Sequence, residues 1–182
     1  MKKMNIVELG HQFMKAVIKE NDIVLDMTMG NGYDTVFLAQ IAKMVYAFDI
    51  QDEAIKITKT RCQDQFITNV KLIHDTHENA HLYVPLFHHA VYNLGYLPNG
   101  DKIITTIAKT TIKSLKRVLK EMESMGYVFI TVYEGHEEGL QESIALKEYL
   151  HTLHPQDFQV FQVTLPYQDQ NPPYLLIIQR LK

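Results

Sequence analysis

The residues best suited to hold a nucleotide-like ligand lie in the segment from Asp26 to Thr35, which reads DMTMGNGYDT. An apolar run precedes this segment, and a helical pattern of apolar residues follows it directly. Gly30 and Gly32 permit positive φ angles and let the backbone approach a ligand closely. Asp34 lies where the N-terminus of the helix is expected. We therefore predict a strand, a ligand-binding loop and a helix in that order.

The residue types missing from this loop limit what it can bind. A dinucleotide-binding loop would have a third glycine or an alanine in place of Thr35, and a P-loop would continue with Gly-Lys-Ser/Thr. Asp49 ends the next apolar run about 20 residues beyond the loop, where a carboxylate can accept hydrogen bonds from ribose hydroxyls. Together these features favour adenosine without a pyrophosphate.

The composition is that of one globular domain. The chain has 182 residues, of which 46% are hydrophobic, and its formal net charge is -3. This charge argues against a generally basic nucleic-acid binder, so any phosphate contact must come from a local patch. A single cysteine forms no internal disulfide, and no run of 18 apolar residues predicts a membrane span. We expect a cytoplasmic protein with one domain over 1–182 and an N-terminal helix, within 1–20, packed on it.

Strand and helix patterns alternate along the chain. The predicted strands are 23–26, 45–49, 70–74, 88–93 and 127–132, and the intervening helices are 34–43, 52–66, 105–124 and 137–152. Two further apolar or alternating runs, 158–165 and 174–180, predict a closing hairpin. The fold class is therefore α/β, a doubly wound Rossmann-like fold with a mostly parallel seven-stranded sheet and a C-terminal antiparallel hairpin.

In such a sheet a ligand binds outside the carboxyl ends of the strands. All five ends are polar or contain glycine, which a purely structural sheet would not require; they are Asp26 to Gly32, Asp49 to Gln51, Asp75 to His77, Asn93 to Pro98 and Tyr133 to His136. Asp75 alone is explained equally well as a cap for a helix at 76–82. The five ends together predict a binding site.

The loop at 26–35 and the strand-terminal Asp49 resemble motifs I and II of class I S-adenosylmethionine-dependent methyltransferases, with Thr28 in place of the usual first glycine. The segment 93–102, NLGYLPNGDK, narrows the resemblance to the YtqB/MnmM-like family. That family has been labelled as rRNA methylases and is associated with methylation of 5-aminomethyl-2-thiouridine at the tRNA wobble position. The similarity runs from about residue 5 to the C-terminus.

The resemblance implies a set of cofactor-binding residues for S-adenosylmethionine. It assigns the ribose to Asp49 and the reacting end to Asn93 and the residues after it. The methionine moiety is expected against Asn31, Gly32, Asp34 and Thr35, with Asp26, Thr28 and Gly30 in the same loop, and the adenine near Gln51, Asp75 and His77.

The implied reaction is displacement at the sulfonium methyl by a primary amine. Asn93, through its carbonyl groups, or His136 could accept the amine proton, and the sequence leaves both open. Tyr96 could stack on the flipped base or on the sulfonium, or could only pack the loop. We accordingly predict Asn93, Tyr96 and His136 as catalytic residues. The predicted substrate-binding residues are Leu94, Gly95, Tyr96, Lys102 and Tyr133.

The segment Asn171 to Tyr174 spells Asn-Pro-Pro-Tyr, the signature of N6-adenine and glutamine-amide methyltransferases. Those enzymes carry the motif after the fourth strand, whereas this copy lies between the last two strands. Asn93 and Tyr96 occupy the expected place with the same spacing. We therefore expect that 171–174 is not the main catalytic motif, and the sequence leaves open whether this segment forms a wall of the substrate pocket.

The implied partner is the anticodon loop of tRNA, and the resemblance also suggests a homodimer. Lys109, Lys113, Lys116 and Lys120 recur at helical spacing and form either a phosphate-contacting ridge or an ordinary solvated face. The histidines lack the spacing of a metal site, so we predict no metal. Alternative functions are methylation of rRNA or of a small molecule on the same fold, or a cofactor-binding module without catalysis.

Overall fold

The computed structural model of the protein describes residues 4–95, 106–168 and 171–182. Its strands are β1 Ile23–Asp26, β2 Met44–Asp49, β3 Val70–His74, β4 His89–Asn93, β5 Tyr127–Val132, β6 Phe158–Val163 and β7 Tyr174–Arg180. Its helices are α1 Ile6–Val17, α2 Tyr33–Ala39, α3 Asp52–Asp64, α4 Ala108–Glu121 and α5 Glu137–Leu150, with a 3-10 helix at His77–Leu82. Among the described residues, no helix is long and apolar enough to cross a membrane.

The seven strands form one sheet in the order β3-β2-β1-β4-β5-β7-β6. Strands β1 to β5 are parallel, and β7 runs antiparallel to both β5 and β6. The predicted α/β fold, with its mostly parallel sheet and antiparallel C-terminal hairpin, is confirmed. The chain order reverses between β1 and β4, so the carboxyl ends of these two strands border the crevice where ligands bind in such sheets.

Both faces of the sheet are covered by helices. One apolar cluster packs α1, α2 and α3 on one face, and a second packs α4, α5 and the 3-10 helix on the other. Helix α4 is an example of an amphipathic helix that covers the sheet. Its buried residues recur every three or four positions, while its lysines stay exposed. Burial on both sides explains why the central strands have apolar residues at successive positions.

Helix α2 is shorter than the predicted 34–43, since it ends at Ala39. The amide of Asn69, just before β3, donates hydrogen bonds to the carbonyls of Ala39 and Ala42 at 2.9 and 3.0 Å. The Asn69 side chain, distant in sequence, therefore donates hydrogen bonds to carbonyl groups that would otherwise accept backbone N–H groups of a longer helix. Helix α4 likewise ends at Glu121 rather than at 124, because Met122 has an extended backbone.

The histidine pair at the start of β4, His88 and His89, has a structural role at the amino ends of the strands. His88 Nδ1 accepts the backbone N–H of Ile23, and His89 Nδ1 accepts that of Tyr127. The buried His89 then donates from Nε2 to Asp22 at 3.0 Å. Each imidazole thus accepts a hydrogen bond from a backbone N–H at the start of a neighbouring strand.

Gly126, directly before β5, packs closely against the backbone of His88, and a substitution at this position tests the contact. A Cβ at Gly126 would lie 2.1 Å from the carbonyl oxygen of His88, whereas a Cβ at Gly135 would meet nothing within 4 Å. We expect Gly126→Ala to lower the free energy of unfolding by at least about 2 kcal/mol and Gly135→Ala to change it by less than about 1 kcal/mol, as measured in urea. Equal losses in the two variants would contradict the packing described.

Candidate active site

A cavity of about 960 Å³ lies at the carboxyl ends of the parallel strands. Residues that follow β1, β2, β3, β4 and β5 all contribute to its wall, as predicted from the five polar strand ends. The wall also includes Asn171 and Pro173, so part of the C-terminal Asn-Pro-Pro-Tyr segment lines the cavity.

Most of the predicted site residues line this cavity. Those predicted to bind cofactor and found in the wall are Thr28, Gly30, Asn31, Asp34, Asp49, Gln51, Asp75, His77 and Asn93. Those predicted to contact substrate or to act in catalysis and found there are Leu94, Gly95, Tyr133 and His136, with Asn93 again. Asp26, Gly32 and Thr35 lie behind the wall and support it. Tyr96 and Lys102 lie outside the described residues.

The glycine loop is held in place by α3. The Thr58 hydroxyl donates to the carbonyl oxygen of Gly30, and Arg61 Nε donates to that of Asn31 at 2.7 Å. Gly32 has φ = 76°, and a Cβ there would lie 2.7 Å from Thr58 Oγ1. Glycine at position 32 therefore allows α3 to pack closely against the loop, in addition to permitting its left-handed backbone.

Asp49 connects this loop to the end of β2. Its Oδ2 accepts the N–H of Gly30 and its Oδ1 accepts that of Gln51, both at 3.0 Å. Burial raises the pKa of this carboxyl, although the backbone hydrogen bonds oppose the shift. Asp49 lies in the cavity wall, and a carboxylate can accept further hydrogen bonds, which is the capacity that binding of ribose hydroxyls requires.

Asp26 is almost fully buried behind the loop. Its Oδ2 accepts the hydroxyl of Thr35 at 2.5 Å, which explains why both residues lie behind the cavity wall. Burial and then the negative charge of Asp34 raise the pKa of Asp26 to about 7. Asp26 therefore binds a proton at a higher pH than an ordinary carboxyl group does.

Asp34 bridges two segments that are distant in sequence. Its Oδ1 lies 2.5 Å from His11 Nε2, and its Oδ2 accepts the side-chain amide of Asn93. The backbone N–H of Asn93 donates to Thr28 Oγ1 at 2.7 Å. Asn93 Oδ1 is buried and has no hydrogen-bond partner within the described part of the chain. An unpartnered buried acceptor at a cavity wall indicates a place for a ligand donor.

The predicted adenine end of the cavity contains a neutral imidazole. Burial lowers the pKa of His77 to about 4, and its buried Nδ1 has no partner among the described residues. Asp75 accepts hydrogen bonds from Thr76, Asn79 and Tyr83. The N-cap of the 3-10 helix is Thr76, whose hydroxyl accepts the N–H of Glu78, so the interpretation of Asp75 as the cap is wrong. Asp75 instead orders the residues around this cap and lines the cavity.

Sequence reasoning missed a buried polar cluster beside the substrate end. Glu142 on α5 accepts the hydroxyls of Thr106 and Thr111 at 2.8 and 2.5 Å. Thr106 in turn exchanges hydrogen bonds with the backbone of Gly95. The signal available in the sequence was a glutamate on the buried stripe of a helix; its partners could not be read from spacing. His11, expected only on a packing helix, was missed for the same reason.

The charge of the wall is one-sided. Asp34, Asp49 and Asp75 contribute carboxylates, and the described residues that line the cavity include no lysine or arginine. A site of this kind favours cationic ligands electrostatically and offers no partner for a phosphate group.

The comparisons with known proteins identify relatives of this chain. Residues 45–179 match the family model described as "Putative rRNA methylase". The chain is 34% identical over 151 residues to a chloroplastic tRNA (mnm5s2U34)-methyltransferase of Arabidopsis thaliana, a match that covers 74% of this chain and 55% of that protein. The chain therefore spans about half the length of this relative.

Two solved structures resemble the chain over the full length of both partners. One is a putative rRNA-methylase from Clostridium thermocellum, with 33% identity and a TM-score of 0.94. The other is a putative methyltransferase from Streptococcus mutans in complex with SAH, with 38% identity and a TM-score of 0.91.

The proton on Asp26 makes stability depend on pH. Its folded pKa of about 7 lies above the ordinary value of 3.8, so its contribution is full below about pH 4 and is lost as pH rises to about 7. We expect Asp26→Asn, which cannot ionise, to become more stable than the wild type across this window, by on the order of 2–4 kcal/mol at about pH 8. Urea unfolding at several pH values checks this, and a pH-independent difference would refute it.

Asp49→Ala tests the predicted ribose site. The substitution removes both the ribose acceptor and the partner of the Gly30 amide, so we expect the Kd for S-adenosylmethionine to rise by at least about 100-fold in calorimetry. Asp52→Ala is the matched control, because Asp52 is close to Asp49 in the sequence, at the start of α3, and its side chain is largely exposed. Unchanged affinity in Asp49→Ala would remove this residue from the site.

Proposed function

The chain belongs to the rRNA methylase family matched above, and we propose that it methylates the aminomethyl group of 5-aminomethyl-2-thiouridine at the wobble position of tRNA. The product is 5-methylaminomethyl-2-thiouridine. As a member of this family it is an S-adenosylmethionine-dependent methyltransferase. The chloroplastic relative supports this reaction, because its name contains mnm5s2U34, the abbreviation of the proposed product at position 34.

The observation that carries the proposal is the unpartnered Oδ1 of Asn93 at the cavity wall. Transfer of a methyl group to a primary amine requires the amine in its neutral form, with its lone pair directed at the methyl carbon. A carbonyl oxygen that accepts one N–H of the amine fixes that direction, and positioning of this kind can supply a large part of the acceleration. Asn93 is held for this task by Asp34 and Thr28.

The charge of the wall supports the same choice of reactants. S-adenosylmethionine supplies the methyl group on a cationic sulfonium, and an aminomethyl group is cationic before it loses its proton. The carboxylates of Asp34, Asp49 and Asp75 favour both species over anionic ones. Asp49 would hold the ribose hydroxyls, and the neutral His77 would face the adenine.

His136 is placed differently from Asn93. It is the N-cap of α5, where its Nδ1 accepts the N–H of Gly139 at 2.9 Å. A neutral ring in this arrangement carries its proton on Nε2, and uptake of a second proton at Nδ1 would break the cap. We therefore favour Asn93 as the group that faces the amine and keep His136 as a neighbouring wall residue.

Because the cavity wall is acidic, contacts with tRNA phosphates must lie outside this cavity. Helix α4 begins at the cavity, where Ile107 and Thr110 belong to the wall, and the exposed Lys109 lies in its first turn. Lys113, Lys116 and Lys120 continue the ridge, although Lys113 also pairs with Glu78 at 3.0 Å. We propose that this ridge contacts the RNA backbone in the cytoplasm and positions the anticodon loop.

The homodimer suggested by the resemblance is also a proposal. Strand β6 is an edge of the sheet, and its Val160 and Phe161 are 39% and 44% exposed. An exposed apolar edge strand is a natural surface for a second copy of the chain.

The test is to incubate the protein with S-adenosylmethionine and tRNA from cells that lack it, and to identify the nucleosides by mass spectrometry. We expect 5-aminomethyl-2-thiouridine to be converted to its methylated form, with kcat lowered about 100-fold in Asn93→Ala and less than about fivefold in Asn171→Ala. The two asparagines form a matched pair, since both line the cavity.

Other outcomes would redirect the proposal. Methylation of rRNA but not of tRNA would replace the acceptor, and cofactor binding without methylation of any RNA would favour a non-catalytic module. A larger loss of kcat in Asn171→Ala than in Asn93→Ala would move the catalytic role to the C-terminal motif.

A further inference from the structure

Helix α1 brings one side chain into contact with the active-site residues. His11 Nε2 lies 2.5 Å from Asp34 Oδ1. The imidazole also stacks on Phe37 of α2, with 3.9 Å between ring centroids and 3° between the ring planes. A capping box between Asn5 and Glu8 fixes the start of the helix. The ring is therefore held both by its partner Asp34 and by the aromatic face below it.

The contact matters because of what Asp34 does with its other oxygen. Oδ2 of Asp34 accepts a hydrogen bond from Asn93 Nδ2. An ionised carboxylate has only acceptors, so the Asn93 amide must turn its NH2 group toward Asp34 and its Oδ1 away from it. The orientation of the Asn93 carbonyl therefore depends on the hydrogen bond that its amide donates to Asp34.

The same contact with His11 holds the Asp34 carboxyl group in one orientation. Asp34 is buried, and its two oxygens serve different partners, Oδ1 facing His11 and Oδ2 accepting from Asn93. Loss of the partner at Oδ1 would leave the carboxyl group free to rotate and to present its oxygens differently to the Asn93 amide. Donation from His11 Nε2 therefore keeps Oδ2 in the position that receives Asn93 Nδ2.

We propose that His11 is a positioning residue for methyl transfer. Its Nε2–H holds Oδ1 of Asp34 in place, and Oδ2 of Asp34 in turn fixes the Asn93 amide, whose carbonyl orients the substrate amine. Helix α1 is thus a component of the active site as well as a packing element. This inference rests on the proposed function for the identity of the amine, whereas the contact between His11, Asp34 and Asn93 stands independently of it.

Two variants distinguish the hydrogen bond between His11 and Asp34 from the stacking of His11 on Phe37. His11→Phe keeps the stacked ring and loses the donor, whereas His11→Gln keeps an N–H donor near the position of Nε2 and loses the ring. We expect His11→Phe to lower kcat by about 10- to 100-fold with the Kd for S-adenosylmethionine changed less than about threefold. His11→Gln should recover most of kcat. Gln12→Ala, on the exposed face of the same helix, is the matched control and should equal the wild type.

The opposite patterns would overturn the role of His11. They are an unchanged kcat in His11→Phe, equal losses in His11→Phe and His11→Gln, or a loss of cofactor affinity in place of kcat. Thermal unfolding of each variant shows whether it is folded, and a folded His11→Gln keeps the test valid if His11→Phe is not.

A second measurement needs no substrate. Nitrogen-15 NMR of the imidazole rings reports which ring nitrogen of His11 carries a proton, and we expect a protonated Nε2 in the wild type at about pH 8. Its resonance should shift in Asp34→Asn and stay in place in Gln12→Ala. An unprotonated Nε2 would overturn the inference. Failure of the tRNA assay with the expected NMR result would instead reject the proposed acceptor and leave the contact intact.

Discussion

The burial of two neighbouring carboxyl groups, Asp26 and Asp34, behind and beside the ligand cavity is the constraint on which the site depends. The pKa of Asp26 is raised to about 7, and its carboxyl group accepts the hydroxyl of Thr35. Asp34 has a partner on either side, His11 and Asn93. The loop between β1 and α2 is consequently tied to α1 and to the end of β4. The Asn93 carbonyl takes its direction from this network, and the chemistry proposed for the site depends on that direction.

The distribution of charge links the site to its reactants. Carboxylates without a lysine or arginine among the described wall residues suit a sulfonium donor and an amine acceptor, and they repel phosphate. The RNA backbone must then be met elsewhere, and the lysine ridge of α4 begins where the cavity ends. A net charge of -3 is thus compatible with an RNA substrate, because opposite charges are segregated on different surfaces.

The sequence was sufficient for the fold and for much of the cavity wall, because those features have local signals. Alternating strand and helix patterns predicted the order of elements, and glycines with a strand-terminal aspartate located the loop and Asp49. The contacts of His11 and Glu142 were missed because they join segments far apart in the chain. Thr35 shows the converse case: its position in the loop suggested a ligand contact, yet its hydroxyl turns inward to Asp26. Helix ends such as Ala39 were also set by a distant partner, Asn69.

The most direct test of the central claim is a crystal structure with S-adenosylhomocysteine and an anticodon stem-loop that contains 5-aminomethyl-2-thiouridine. We expect the amine nitrogen about 3 Å from Asn93 Oδ1, with Nδ2 of the same side chain on Asp34 and His11 on the far side of that carboxylate. An amine placed against another group, or an Asn93 amide turned so that its carbonyl faces Asp34, would contradict the claim.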